Sequence, residues 1–240
     1  MVTNFASDNV ALLSLTEGHV VQTFGTRGSA QGQFDSPFGV SVDPHQGHLW
    51  VADFYNNRVQ LFTEEGHFIR LFPCCQQPAS VAFLSNGDVV VASRHDNKLH
   101  VYSPEGAFRR SIGTFGALYQ LAVVPPSAEE AQGGEDHLAV ADYSTGCVHC
   151  VSITDSGHVV RTLATTVSPC GVVVTPNQYV IVVESDRHGV GVFSQQGERV
   201  HQWGSRGRAP GQFDVPRYCA LLSDGRVAIA DRDNHRIQLF

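Results

Sequence analysis

The chain writes one passage twice, near its two ends. Gly32-Gln33-Phe34-Asp35 leads through Pro37 and Val51-Ala52-Asp53 to Asn56-Asn57-Arg58-Val59-Gln60-Leu61-Phe62. Gly211-Gln212-Phe213-Asp214 leads through Pro216 and Ile229-Ala230-Asp231 to Asn234-His235-Arg236-Ile237-Gln238-Leu239-Phe240. A passage of this length, repeated, is one supersecondary unit in two copies. Such a unit buries its apolar face only by stacking on its neighbours, so the chain is to be read as an array before any chemistry is sought.

Aligning the array on the Pro before each first apolar run gives Pro37, Pro78, a degenerate Leu118, Pro169 and Pro216. The spacing is roughly 40 to 50 residues, the length of a propeller blade of four strands. In the first full unit the runs are Val40-Ser41-Val42, Leu49 to Ala52, Val59 to Phe62 and Phe68 to Phe72, each short, β-branched or aromatic, and bounded by Gly, Pro, Asn or Asp. The scheme recurs in the second, fourth and fifth units, the fifth stopping after its third run. The third unit carries an insertion, Pro125 to Gly134, whose acidic, Pro- and Gly-bearing composition predicts a solvated loop. Gly66, Gly106, Gly157 and Gly197 stand between third and fourth runs, where a turn with positive φ favours glycine. The first 24 residues enter the template late, with Val10 to Leu15 as a third strand, Gly18 as the turn and Val20 to Phe24 as a fourth. Two closures follow: five blades with a spare strand, or six with incomplete terminal blades. Incomplete blades leave unpaired edges, so a portion of a longer protein is expected.

The pattern G-Q-F-x-x-P, then [VI]-A-D-x-x-N-x-R-[VI]-Q-L-F, resembles the NHL repeat over essentially the whole chain, best in the first and fifth units. The resemblance implies an all-β, NHL-type β-propeller: a partial blade over 1–24 and five near-complete blades over 25–72, 73–115, 116–164, 165–203 and 204–240, with six blades in the intact protein. It also implies a non-catalytic, cytoplasmic protein-interaction module of the kind that forms the substrate-recognition end of tripartite-motif ubiquitin ligases. The ligase's RING domain has no counterpart here, because the cysteines and histidines lack paired zinc spacing.

Within such an array, positions that recur are architecture and positions that vary are candidates for recognition. Asp53, Ser93, Asp142, Glu184 and Asp231 end the second strands and are expected to bond turn N–H groups. Just after the aligned Pro lie Phe38, Ala79, Tyr119, Cys170 and Arg217, a set that differs from blade to blade. Phe38 and Tyr119 offer flat contacts and Arg217 a bidentate cation, so this mouth is expected to receive a protein partner. The rival reading is RNA. With fifteen Arg and a single Lys98, the chain places Arg58, Arg94, Arg187, Arg217, Arg232 and Arg236 on the loop face, with Tyr218 beside Arg217 for stacking. As many carboxylates share that face and the net charge is −7, which favours pairing of each Arg with a nearby Asp.

A similar propeller, the lyase that amidates peptide hormones, holds zinc through histidines just after the corresponding prolines. Those positions here carry no imidazole, so neither a metal-dependent lyase nor any cofactor is expected. Cys147-x-x-Cys150 sits on a strand run, where residues three apart face opposite ways. The six cysteines show no regular framework and a reduced, intracellular chain is expected. No apolar run nears the roughly 20 residues that span a bilayer, so no membrane partner is expected, and no nucleophile with base and orienting acid, nor small-molecule substrate site, is apparent.

Overall fold

The computed structural model describes residues 1–124, 136–153 and 158–240. The Pro125 to Gly134 insertion and Gly157 lie outside the described residues. Six antiparallel sheets follow one another along the chain as the blades of a β-propeller fold. The first holds β1 (Val2–Asn4), β2 (Asn9–Leu13) and β3 (Val20–Phe24); the second β4 (Pro37–Val42), β5 (Leu49–Asp53), β6 (Arg58–Phe62) and β7 (Phe68–Pro73). The third holds β8 (Pro78–Phe83), β9 (Val89–Ser93), β10 (Leu99–Tyr102) and β11 (Phe108–Ile112); the fourth β12 (Leu118–Val124), β13 (His137–Asp142), β14 (Cys147–Ser152) and β15 (Val159–Thr165). The fifth holds β16 (Pro169–Val174), β17 (Val180–Glu184), β18 (Gly189–Phe193) and β19 (Arg199–Trp203); the sixth β20 (Pro216–Leu221), β21 (Val227–Asp231) and β22 (Arg236–Leu239). Of the two strand counts left open above, six sheets are found, the first and last with three strands each.

The chain divides into two compact units, Met1–Ser111 and Ile112–Phe240. Inside each, successive sheets pack face to face, and period-2 alternation sends neighbouring residues of one strand into different cores. In the first unit Leu49 and Val51 of β5 join Val10, Phe34 and Phe62, whereas Trp50 and Ala52 join Val81, Val89, Val91 and Tyr102. In the second, Val180 and Val182 of β17 meet Ala139, Val148 and Leu163, whereas Ile181 and Val183 meet Phe213, Cys219 and Ile229. A central strand buried on both sides has no polar face to show, which is why Val89-Val90-Val91 and Val180 to Val183 read as unbroken apolar runs.

The hairpin glycines Gly18, Gly66, Gly106 and Gly197 all adopt positive φ. The alignment on proline is a register: Pro37 pairs with Asp53, Pro78 with Ser93, Leu118 with Asp142, Pro169 with Glu184 and Pro216 with Asp231. Each pairing is followed at once by a register shift. Leu118 thus takes the place of proline, as aligned. Two readings of the sequence are corrected. The first strands begin at the proline rather than after it, and the N-terminal sheet has a strand, β1, that precedes the two expected and pairs Val2 with Ala11.

Candidate functional site

The shared letters of the repeated passage form a clamp. Asp53, with no exposed side-chain surface, accepts the Asp35 N–H at 2.8 Å on one oxygen, and Asn56 Nδ2 at 2.9 Å, Arg58 Nε at 2.7 Å and Gln60 Nε2 at 3.0 Å on the other. Arg58 makes three more bonds to the loop before β4: Nη1 to the Ser29 carbonyl at 2.7 Å, and Nη2 to those of Ala30 and Gln33 at 2.9 and 2.8 Å. Asp231, Asn234, Arg236 and Gln238 repeat the arrangement: Arg236 Nε meets Asp231 at 2.7 Å, and its other nitrogens meet the carbonyls of Arg208, Ala209 and Gln212 at 2.7, 2.9 and 2.8 Å. The other second-strand ends are also buried and engaged. Asp142 accepts the Gly116 N–H at 2.7 Å, and Glu184 takes a bidentate Arg199 at 2.9 and 2.6 Å.

Arg58 and Arg236, both expected on the ligand-binding face, hold their own loops, each with four hydrogen bonds to its own blade and the loop before it. Arg206 and Arg232 each face a carboxylate, Asp214 at 3.5 Å and Asp233 at 3.3 Å, and Arg187 is exposed with Glu184 at 3.9 Å and Gln202 at 3.2 Å. Arg236→Ala is thus expected to lower stability by roughly 1–3 kcal/mol, whereas Arg232→Ala stays within about 0.5 kcal/mol of wild type. Urea melts of the two variants check the contrast, and equal midpoints would remove the clamp from the account.

The varied positions behave differently. The register shift after each aligned residue turns the next side chain away from the ladder, and in each unit this assembles an aromatic and cationic face. In the first, Phe38 stacks on Phe54 at 5.1 Å, Phe5 meets Phe38 edge-on at 5.5 Å, Tyr55 meets Phe54 at 4.9 Å, and the Arg94 guanidinium lies 5.7 Å from the centre of the Phe38 ring. Phe5 and Tyr55 are exposed.

In the second unit Tyr119 packs on Tyr143 at 5.2 Å, and the Arg217 guanidinium lies 5.4 Å from the centre of the Tyr119 ring. Arg217 Nη1 donates to the Tyr119 hydroxyl at 3.1 Å and to Cys170 Sγ at 3.4 Å. Arg217 reaches Tyr119 past the intervening sheet because Cys170 is small and Gly171 lets β16 and β20 approach. A Cβ on Gly171 would sit 2.8 Å from the Arg217 carbonyl oxygen. Burial acts to lower the Arg217 pKa, but the Cys170 thiol and Tyr119 phenol outweigh it and hold the guanidinium above its ordinary value. Asp186 borders this face, accepting the Ser168 hydroxyl at 2.5 Å and the Tyr143 hydroxyl at 3.3 Å. Tyr218, next to Arg217, is half-buried.

Phe54 and Tyr143 were not singled out in the sequence, yet a signal exists. Both follow a second-strand carboxylate, at a position filled by Phe54, Arg94, Tyr143, Ser185 and Arg232, a second varying column beside the first. Each pairs with the first-column aromatic of its own sheet.

Among the described residues no three His, Cys, Asp or Glu converge as metal ligands. The first varying column presents Phe38, Ala79, Tyr119, Cys170 and Arg217, with a cation at its centre in the second unit, and this set does not fit a zinc ion. Burial pushes the Cys170 thiol up, against the opposing pull of Arg217, and burial also raises Cys219. Both thiols are expected to resist iodoacetamide around pH 8 until urea is added; prompt labelling of the folded chain would contradict this. A thiol raised on folding stabilises below the ordinary thiol range. That contribution is lost as pH climbs above roughly 8.5.

A family model described as NHL repeat matches residues 34–62 and 219–240. The Protein brain tumor of Drosophila melanogaster is 36% identical over 99 residues, covering 38% of this chain and 10% of that protein. The E3 ubiquitin-protein ligase TRIM71 of Rattus norvegicus is 45% identical over 51 residues, covering 21% of this chain and 6% of that protein. The matched stretches thus span a small part of these relatives. Among solved structures, a streptogramin B lyase superposes with a TM-score of 0.67 over 97% of this chain and 72% of that one, at 12% identity, a likeness of fold alone.

Proposed function

The chain is a member of the NHL-repeat family, and we propose that it is a non-catalytic protein-interaction propeller, acting as the substrate-recognition module of a ubiquitin ligase. One observation carries the reading: the invariant letters of the repeat are used up in clamps, whereas the varied letters form an aromatic and guanidinium face in each unit. Aromatic side chains and Arg are what well-packed protein interfaces concentrate at their centres. The ligase assignment draws on the relative that bears that name. The lyase-like fold lends no chemistry, because at 12% identity the likeness is one of fold alone.

A pull-down with quantitative mass spectrometry tests the proposal, using the wild-type chain and two variants, Phe38→Ala with Phe54→Ala and Tyr119→Ala with Tyr143→Ala. A defined set of proteins is expected to fall about tenfold or more with one variant while its melting temperature stays near wild type. An unchanged captured set with both variants overturns the reading. The RNA reading has less support, because Arg58 and Arg236 hold their own loops and Arg206 and Arg232 face carboxylates. Oligouridylate binding whose affinity falls steeply with salt, and which Arg94→Ala or Arg217→Ala abolishes, would restore it.

A further inference from the structure

Arg217 differs from the clamped arginines of the chain. Arg58, Arg199 and Arg236 each lie against a buried carboxylate, at 2.7, 2.6 and 2.7 Å. Arg217 is half-buried and, among the described residues, has no carboxylate within ion-pair distance; its hydrogen bonds are those of Nη1 to a phenol and a thiol. Nε and Nη2 are left with no acceptor among the described residues. Those two nitrogens form the edge of a guanidinium whose parallel N–H bonds match the two oxygens of a carboxylate. The edge is held in place: Nη1 is anchored from two sides, and the cation lies against Tyr119, itself backed by Tyr143. A cation withdrawn from water without a counter-charge is unfavourable, and a bound anion offsets that.

The charge beside the site favours a carboxylate over a phosphate. Asp186 borders the cluster, its carboxylate fixed by the hydroxyls of Ser168 and Tyr143. Its repulsion grows with the charge of the ligand, so a planar monoanion is disfavoured less than a phosphate dianion. We propose that the Nε–Nη2 edge of Arg217 receives the side-chain carboxylate of an acidic segment of a protein partner, with the segment's next residue lying on the Tyr119–Tyr143 pair. The inference rests on the reading of the chain as a protein-interaction module and names the chemistry of what that module takes at this site.

The test follows the Arg217 Nε–Hε resonance of 15N-labelled chain during titration with acetyl-Gly-Glu-Gly-amide and with its Gln counterpart. A saturable shift is expected with the Glu peptide and binding about tenfold or more weaker with the Gln peptide. This comparison uses wild-type protein and needs no variant to fold. Arg217→Lys, which keeps the charge and removes the fork, is expected to lose a similar factor, and Tyr119→Phe, which removes one anchor of Nη1, a smaller one. Equal responses to the two peptides, no response to either, or a stronger response to inorganic phosphate or oligouridylate at equal concentration overturns the inference. Failure here alongside a captured set lost from the Tyr119→Ala, Tyr143→Ala variant leaves the interaction reading standing. Discrimination between the peptides with no change in the captured set shows that the edge takes a carboxylate, but overturns that reading and with it the assignment of the carboxylate to a protein partner.

Discussion

Asp53→Ala is expected to lower the unfolding free energy by about 3–5 kcal/mol, the usual effect of breaking a buried ion pair from one side. The carboxylate has no exposed surface and its partner Arg58 keeps only 10% of its side chain exposed, so deletion strands a guanidinium inside the protein. Three further donors, the Asp35 N–H, Asn56 Nδ2 and Gln60 Nε2, lose the same acceptor at once. Asp231→Ala removes the same set of bonds in the last sheet, but Arg236 keeps 29% of its side chain exposed, and water reaches the orphaned cation there. The second substitution is therefore expected to be the milder of two chemically identical changes. Urea unfolding of both variants, compared at equal slope, decides it. A loss below about 1 kcal/mol at Asp53, or a larger loss at Asp231 than at Asp53, would show that the clamp is solvated ornament.

The architecture was legible in the sequence because the forces that set it act over short distances. Strand periodicity, turn glycines and the proline register each leave marks within a few residues, so even the degenerate Leu118 could be placed. β1 was missed for the same reason: Val2-Thr3-Asn4 is too short and too polar to show alternation, and it is a strand only because β2 offers it an edge. The recurrence of Asn56, Arg58 and Gln60 was visible as a pattern, but their targets are backbone carbonyls 25 to 29 residues earlier, and loop shape cannot be read from residue type. Arg58 and Arg236 consequently looked like surface cations. The recognition columns were half legible: variation at a repeated position singled out Phe38, Tyr119 and Arg217. The contact between Arg217 and Tyr119, 98 residues apart, depends on a small Cys170 and on the close approach of two strands at Gly171. Those are facts of packing that no local pattern encodes.

The clamp also predicts how stability couples to the neighbouring core. Phe34 stands next to Asp35, is fully buried, and packs its ring 5.5 Å from Phe62 with Val10, Leu49 and Val51 around it. Its backbone ties the same loop, the N–H to the Thr26 carbonyl and the carbonyl to the Gly28 N–H, each at 2.9 Å. Phe34→Ala is expected to cost about 3–5 kcal/mol through lost burial and the cavity left behind. The informative measurement is the double variant. The loop that carries Phe34 into the core is the loop whose carbonyls Arg58 holds and whose Asp35 N–H Asp53 accepts. Once Phe34 is gone the loop loosens, and Asp53 then has less native structure to hold. Phe34→Ala with Asp53→Ala should therefore cost less than the two single changes added, by about 0.5–3 kcal/mol, the range for residues that share partners. Additive costs would mean that ring and carboxylate stabilise the sheet independently, and the repeated passage would then be two adjacent motifs in place of one cooperative unit.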